Sequence, residues 1–351
     1  MESINTKKEL CIIYHFPCYD GAYGAINTYL FYSNFKKNKY KITFKPLRNI
    51  FPIFSVVNKK KFDKIIALDL AMKDEDIAFL TNKENDETSI IIFDHHFSWY
   101  DKYIKDYKPK INNRKKLKIF FDEKNSKSAC GLSFDYFKNK CKKIKGVDEK
   151  EIERVFNKNL QCINNYIEDS DTGRFQIKDI HEFKSALSKD YSLYLSNFAF
   201  NYERKINKFL KINPAFLVQY GKKILKNLKK QTKRILNENW IYIVELKGGI
   251  KFLMCITEKK YVRNYACPLL GKISKSRGFL PVGAFVYEYV NGLYKFSMRA
   301  SDDTCDVSKI AKLYGGGGHK GAAAFVMDYD GIDNLILDTI DVYKDIKYTP
   351  I

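Results

Sequence analysis

Ile90-Ile91-Ile92-Phe93-Asp94-His95-His96 joins four consecutive apolar residues, three of them β-branched, to three polar ones. An unbroken apolar run of this kind is a strand buried on both faces, the pattern of a parallel sheet. Two other stretches repeat the design: Leu10-Cys11-Ile12-Ile13-Tyr14 leads into His15, and Ile65-Ile66-Ala67-Leu68 leads into Asp69. Helix-compatible segments, Gly21–Phe31 and Asp74–Asn82, lie between them, so the amino-terminal half reads as βαβ. In such sheets ligands bind beyond the carboxyl ends of the strands. Three strands that each end in His or Asp therefore line those groups along one edge.

Four of the five histidines sit in three short motifs: His15-Phe16-Pro17-Cys18-Tyr19-Asp20-Gly21, Asp94-His95-His96 and Gly315-Gly316-Gly317-Gly318-His319. Only His181 lies outside them. Imidazole and carboxylate together ligate borderline and hard divalent cations. Tyr166-Ile167-Glu168-Asp169-Ser170-Asp171-Thr172-Gly173 supplies a fourth candidate segment. Taken singly, Asp69 or Asp171 reads as a helix cap or turn residue. Four segments that all end in Asp or His go further, because caps do not require histidine, and together they indicate a metal site.

A chain of 351 residues, 45% hydrophobic and 15% aromatic, is folded and has room for two domains with real cores. Its formal charge is +21, from 62 basic and 41 acidic residues, with lysine spread over Lys36–Lys45, Lys59–Lys64, Lys105–Lys118, Lys138–Lys145 and Lys222–Lys233. Such a field attracts polyanions, and it equally suits a Lys-, Asn- and Tyr-biased chain that merely solvates its surface. The eight cysteines form no C-x-x-C pair and several lie inside apolar runs, which points to a reducing compartment without disulfides or a zinc ribbon. No apolar stretch reaches the length of a membrane span, and the first strand begins too early to leave room for a targeting peptide. A cytoplasmic protein with no membrane partner is the expectation; a homodimer is compatible with the sequence.

The expected fold class is α/β in two domains, a parallel-sheet domain over 1–185 and a smaller α/β domain over 237–351, joined by a helical linker over 186–236. Within the linker Asn213-Pro214 should start a new helix. Strand patterns return at Trp240–Leu246, Lys251–Ile256, Val282–Tyr289 and Tyr294–Arg299, and a helix-like Val307–Tyr314 runs into the glycine run. Gly316-Gly317-Gly318-His319-Lys320-Gly321 formally matches G-x-G-x-x-G, but a helix precedes it where a dinucleotide site needs a strand. It is not a Walker loop either, since Gly321 follows Lys320. Bare amides of Gly316, Gly317 and Gly318 can still cup an anion, with His319 and Arg299 adding side-chain donors.

These motifs resemble those of the DHH phosphoesterase superfamily, named for the triad that stands here as Asp94-His95-His96. His15 through Gly21 looks like its first motif, Ala67-Leu68-Asp69 its second and Asp171-Thr172-Gly173-Arg174-Phe175 its fourth. GGGGHKGAAAF, residues 315–325, is similar to the signature of the DHH-associated substrate-binding domain, and Arg299 in FSMRAS stands where that domain places a phosphate-binding arginine. The likeness is greatest to the oligoribonuclease and dinucleotide phosphodiesterase branch. It implies a metal-binding catalytic domain followed by a substrate-binding domain, and two divalent ions, usually manganese. His15 and Asp69 would hold one ion; Asp20, Asp69, His95 and Asp171 the other, with Asp69 bridging. Asp94 would orient His95, and His96 would face the scissile phosphate. The family usually has an aspartate where this chain has Cys18, a residue able to ligate a softer metal.

The resemblance implies two-metal hydrolysis of short RNA or DNA oligonucleotides or dinucleotides to nucleoside 5′-monophosphates, an exonuclease-type hydrolase. An inorganic pyrophosphatase or exopolyphosphatase is the second reading, because the same cluster serves phosphoanhydrides. A nucleic-acid-binding protein with a decayed centre is the third, and the full ligand set speaks against it.

Overall fold

The computed structural model describes residues 7–57, 61–96, 100, 102–111, 114–124, 126–190 and 196–348. It divides into two compact units, Met1–Lys222 and Lys223–Ile351. The first is built on five parallel strands in the order β2-β1-β3-β4-β5. They are β1 (Lys8–His15), β2 (Tyr40–Leu47), β3 (Lys64–Leu68), β4 (Ser89–Asp94) and β5 (Leu117–Phe121).

The three anticipated strands are its centre. Leu10–Tyr14, Ile65–Leu68 and Ile90–Phe93 are all at most 3% exposed. Each such aliphatic side chain contributes roughly 1.5–3 kcal/mol relative to exposure. Helix α1 (Tyr19–Phe35) connects β1 to β2, and α2 (Asp74–Thr81) connects β3 to β4. Cys11, Ile13, Ile65, Ala67, Ile90 and Ile92 pack in one layer with Ile77 and Leu80 of α2. The two edge strands escape a reading by apolar runs. β2 and β5 are half-buried and of mixed polarity, and β2 carries Pro46, which a sheet tolerates at its edge.

Further helices complete this unit: α3 (Ala129–Cys141), α4 (Glu149–Val155), α5 (Lys158–Asp171), α6 (Ile180–Asp190) and α7 (Tyr202–Leu210). Buried Asn27 ties α1 to α3 and α5, donating to the Cys130 carbonyl at 3.0 Å and to Asn164 Oδ1 at 2.9 Å. Helix α8 (Pro214–Glu238) starts at the anticipated proline and runs across the boundary between the units.

The second unit is a seven-stranded sheet in the order β10-β11-β9-β8-β7-β6-β12. Its strands are β6 (Ile241–Leu246), β7 (Ile250–Ile256), β8 (Val282–Val290), β9 (Leu293–Ala300), β10 (Gly317–His319), β11 (Ala322–Asp328) and β12 (Ile336–Ile340). Only the β7–β8 pair is parallel, and α9 (Arg263–Ser276) makes that crossover. One face packs on α9 through Ala266, Leu270 and Ile273, the other on α10 (Val307–Lys312) through Val307 and Ile310. Among the described residues no helix is long and apolar enough to cross a membrane.

Candidate metal centre

The sheet order 2-1-3-4-5 reverses direction between β1 and β3, and at such a switch point the strand ends diverge and leave room for a ligand. The register pairs Tyr14 with Leu68 and Leu68 with Phe93. The next residue of each strand is His15, Asp69 and Asp94, so these three stand abreast at the carboxyl edge. Asp69 turns out of β3 with a left-handed φ of 61°, anchored by its N–H donating to the Phe93 carbonyl at 2.9 Å. Aspartate tolerates that conformation better than most side chains, and strain of this kind gathers at functional sites.

The HFPCYDG motif turns from β1 into α1, with Cys18 as the N-cap. Gly21 makes the turn sterically possible, because a Cβ there would lie 2.4 Å from the His15 carbonyl oxygen. Asp20 is thereby placed under the strand ends with no exposure. It accepts from Ser128 Oγ at 2.5 Å, from Ala129 N at 2.9 Å and from Cys130 N at 2.8 Å. Asp20 thus caps α3 from another segment of the chain, in place of the N-cap Ser128, and the partial positive charge of that helix end favours its carboxylate.

His15 Nδ1 lies 3.0 Å from Asp69 Oδ2. His95 Nε2 lies 2.9 Å from Asp171 Oδ2, 3.5 Å from Asp69 Oδ1 and 3.7 Å from Asp20 Oδ2. Buried, that nitrogen faces three carboxylates and makes no hydrogen bond of good geometry with any of them. Ligand atoms gather in overlapping groups that share Asp69: His15, Cys18 and Asp69; Asp20, Asp69, His95 and Asp171; and Asp69, His95 and His96. Carboxylates and imidazoles converging within 4.8 Å around an unsatisfied buried nitrogen fit divalent cations. The fourth ligand, Asp171, comes from the carboxyl end of α5 and not from a strand.

Protonation follows from this crowding. Burial, then the carboxylates of Asp69 and Asp171, raise Asp20 to about 7, against the pull of His95 and Ser128. Burial alone would lower His95, but Asp171, Asp69 and Asp20 raise it to about 11. Burial likewise opposes, and Asp94 and Asp69 override, in raising His96 to about 9. Burial and the carboxylates of Asp69, Asp171 and Asp20 push the Cys18 thiol well above its ordinary value, so without a cation beside it Cys18 stays protonated. His96 Nδ1 is held by Asp94 Oδ1 at 2.7 Å, which fixes the ring and leaves Nε2 as its other polar atom.

Two openings flank the cluster. One, about 180 Å³, is lined by Cys18, Asp171, Phe183, Lys184 and Leu187. The other, about 560 Å³, is lined by His96, Lys73, Lys102 and Tyr107 among others. The first-unit residues singled out in the sequence, His15, Cys18, Asp20, Asp69, Asp94, His95, His96 and Asp171, are brought together. Sequence reasoning missed Ser128 and the start of α3, although Ser followed by Ala-Cys-Gly at a helix start is a capping signal.

The remaining candidates lie in the second unit. Arg299 pairs with Ala322 across β9 and β11, and Ala322 with His319 across β11 and β10, so the three share one row of the sheet. Arg299 donates to Asn264 Oδ1 at 3.0 Å and to the Met298 carbonyl at 2.8 Å. The His319 side chain lies outside the described residues. Gly317 and Gly318 are strand residues in β10, and Gly316 N–H is engaged by the Ala311 carbonyl at 2.9 Å. The glycine run is therefore less open to an anion than a bare loop would be. Gly316 serves packing, since a Cβ there would lie 2.3 Å from the Ala324 carbonyl oxygen.

Residues 250–344 match the family model of the DHHA1 domain. No curated protein matches the chain. Among solved structures it is similar to the pGpG-specific phosphodiesterase PggH from Vibrio cholerae, at 11% identity over 93% of this chain and 96% of that one, with a TM-score of 0.46. An exopolyphosphatase-related protein from Bacteroides fragilis gives 11% identity, 97% and 92% coverage and a TM-score of 0.45. Exonuclease RecJ bound to manganese gives 12%, 99% and 90%, and 0.41.

Proposed function

We propose that this chain, whose residues 250–344 match the DHHA1 domain, belongs to the DHH phosphoesterase superfamily and is a two-metal phosphodiesterase acting on short oligonucleotides or dinucleotides and releasing nucleoside 5′-monophosphates. The observation that carries the reading is the sharing of Asp69 between two ligand groups, His15-Cys18-Asp69 and Asp20-Asp69-His95-Asp171. A pair of divalent ions supplies Lewis-acid polarisation of a phosphoryl oxygen and an activated water.

The chain's own residues do the rest. Asp20, clamped by the start of α3, keeps one carboxylate in place without a solvent-exposed rotamer to lose. Asp69 fixes His15 by a 3.0 Å contact. Asp94 fixes His96, whose Nε2 is then the group that can stabilise charge developing on the phosphoryl oxygens or donate to the leaving oxygen. In the second unit Arg299, with the row it shares with His319, is the donor set for a terminal phosphate.

The test is product analysis with manganese on a 5′-phosphorylated RNA dinucleotide, a five-mer, pAp, a cyclic dinucleotide, pyrophosphate and polyphosphate. The control is Asp69→Asn, because asparagine also accepts the left-handed backbone. Mononucleotide release that disappears in the variant is the expected result, together with loss of bound manganese from a still-folded protein. Turnover of pyrophosphate or polyphosphate alone would move the chain to the phosphoanhydride reading. A folded wild-type protein without bound metal or turnover would make it a binding protein.

A further inference from the structure

His181 is the one histidine that the phosphoesterase reading does not use. It stands exposed near the start of α6, and its ring stacks on Phe175, with centroids 5.4 Å apart and planes 14° from parallel. Phe175 is 43% exposed, and its φ is 51°. The left-handed region is unfavourable for a bulky side chain and persists only where surrounding bonds impose it. Those bonds are present. The Asp169 carboxylate, 1% exposed, accepts from Gln176 N at 3.1 Å and from Ile177 N at 2.9 Å. The Asp169 carbonyl accepts from Arg174 N at 3.1 Å and Phe175 N at 3.2 Å. The loop is thus built to hold the Phe175 ring out in solvent against its own preference.

The stack is tied to the metal centre through one side chain. Lys184, on α6 one turn beyond His181, has its ammonium 5.1 Å from the Phe175 ring centre. Lys184 also lines the 180 Å³ opening together with the ligand candidates Cys18 and Asp171. A cation, a small opening at the ligands and an exposed pair of aromatic rings therefore follow one another along one surface of the first unit.

We propose that the Phe175–His181 stack is a nucleobase platform, carrying a base of the nucleotide whose phosphate lies at the metal centre, with Lys184 donating to an oxygen of that phosphate. Aromatic rings beside a cationic group are how proteins hold unpaired nucleotides without reading a sequence, because every base has a π-face. The inference rests on the phosphoesterase reading and narrows its substrate class: base-bearing nucleotides are favoured over inorganic phosphoanhydrides.

Two measurements on the full-length protein, with manganese present, test it. Phe175→Trp places a fluorophore in the stack, and AMP should quench it at concentrations where ribose 5-phosphate does not. Phe175→Leu and His181→Leu remove the rings while leaving side chains of moderate bulk; each should raise the KM for a 5′-phosphorylated dinucleotide about tenfold, the ordinary worth of one base stack, with the loss in KM and not in kcat. Circular dichroism establishes that the variants fold. Unchanged KM in both leucine variants, with equal response of the tryptophan to AMP and ribose 5-phosphate, would overturn the platform. AMP-selective quenching in a protein that cleaves no phosphodiester would support the platform and count against the phosphodiesterase reading, so the two failures are distinct.

Discussion

At the scale of single residues the centre is a competition between protons and cations. Asp20 has a folded value of about 7, above its ordinary 3.8. Its protonated form therefore stabilises the cation-free protein fully below pH 3.8, and that contribution is lost as pH rises through about 7. His95, raised from 6.5 to about 11, contributes fully below pH 6.5 and loses its contribution as pH climbs through about 11. Asp69 is displaced the opposite way, its carboxyl held below the carboxylate range by His15 and His95 despite burial, so its contribution disappears only in strong acid. Between these limits the cation-free cluster grows less stable as pH rises, because it must surrender protons that separate its carboxylates. Divalent cations take the place of those protons, and their binding releases them. The rise in Tm on adding manganese should accordingly be small near about pH 5.5 and grow steadily toward about pH 8. An increment that stays constant across this range, or that survives in Asp69→Asn, would show that manganese binds elsewhere.

At the scale of elements the argument turns on how closely α1 approaches the end of β1. A Cβ on Gly21 would meet the His15 backbone oxygen at 2.4 Å, whereas one on Gly24, a turn later, would meet the flexible Leu68 side chain at 2.7 Å. Backbone cannot yield as a side chain can. Gly21→Ala should cost about 1–3 kcal/mol in urea denaturation and displace His15 and Cys18 together, lowering manganese affinity. Gly24→Ala should cost less and leave metal binding intact. Equal losses of stability and metal in both variants would refute this account of the turn. The same elements show what could be read from the chain alone. β1, β3 and β4 were legible because burial on both faces demands unbroken apolar runs, and their terminal His and Asp residues were legible with them. β2 and β5 were not, since an edge strand needs neither. The clamp on Asp20 was hidden by distance along the chain, Ser128 lying 108 positions away. His181 was visible as an outlier, but its partnership with Phe175 depends on a left-handed backbone that the loop's hydrogen bonds impose and no propensity encodes.

At the scale of the whole molecule the question is whether the charge of +21 acts on substrate or only on water. Part of the lysine excess is matched internally, as in Lys102 with Asp74, Lys138 with Glu153 and Lys275 with Asp302. The run on α8 lies along a single helix. Lys222, Lys226, Lys229 and Lys233 recur at helical spacing, with Lys223 and Lys230 beside them, and all of the six but Lys233 are exposed. Within this stripe Lys222 meets Asp179 at 3.4 Å, and Lys233 donates to the Lys347 carbonyl at 3.2 Å. A basic stripe on a single helix presents phosphates with a row of contacts, and each contact to a single strand adds about 0.7 to the slope of log affinity against log salt. A 5′-phosphorylated dinucleotide has two phosphates, so its slope in log(kcat/KM) should not exceed about 1.4 in magnitude. A five-mer should be distinctly steeper if the stripe engages its backbone, and Lys226→Gln with Lys229→Gln and Lys230→Gln should flatten the five-mer slope while leaving the dinucleotide slope where it was. Identical slopes for the two lengths in the wild-type protein would mean that the lysines solvate the surface, and that recognition ends with the nucleotides at the metal centre.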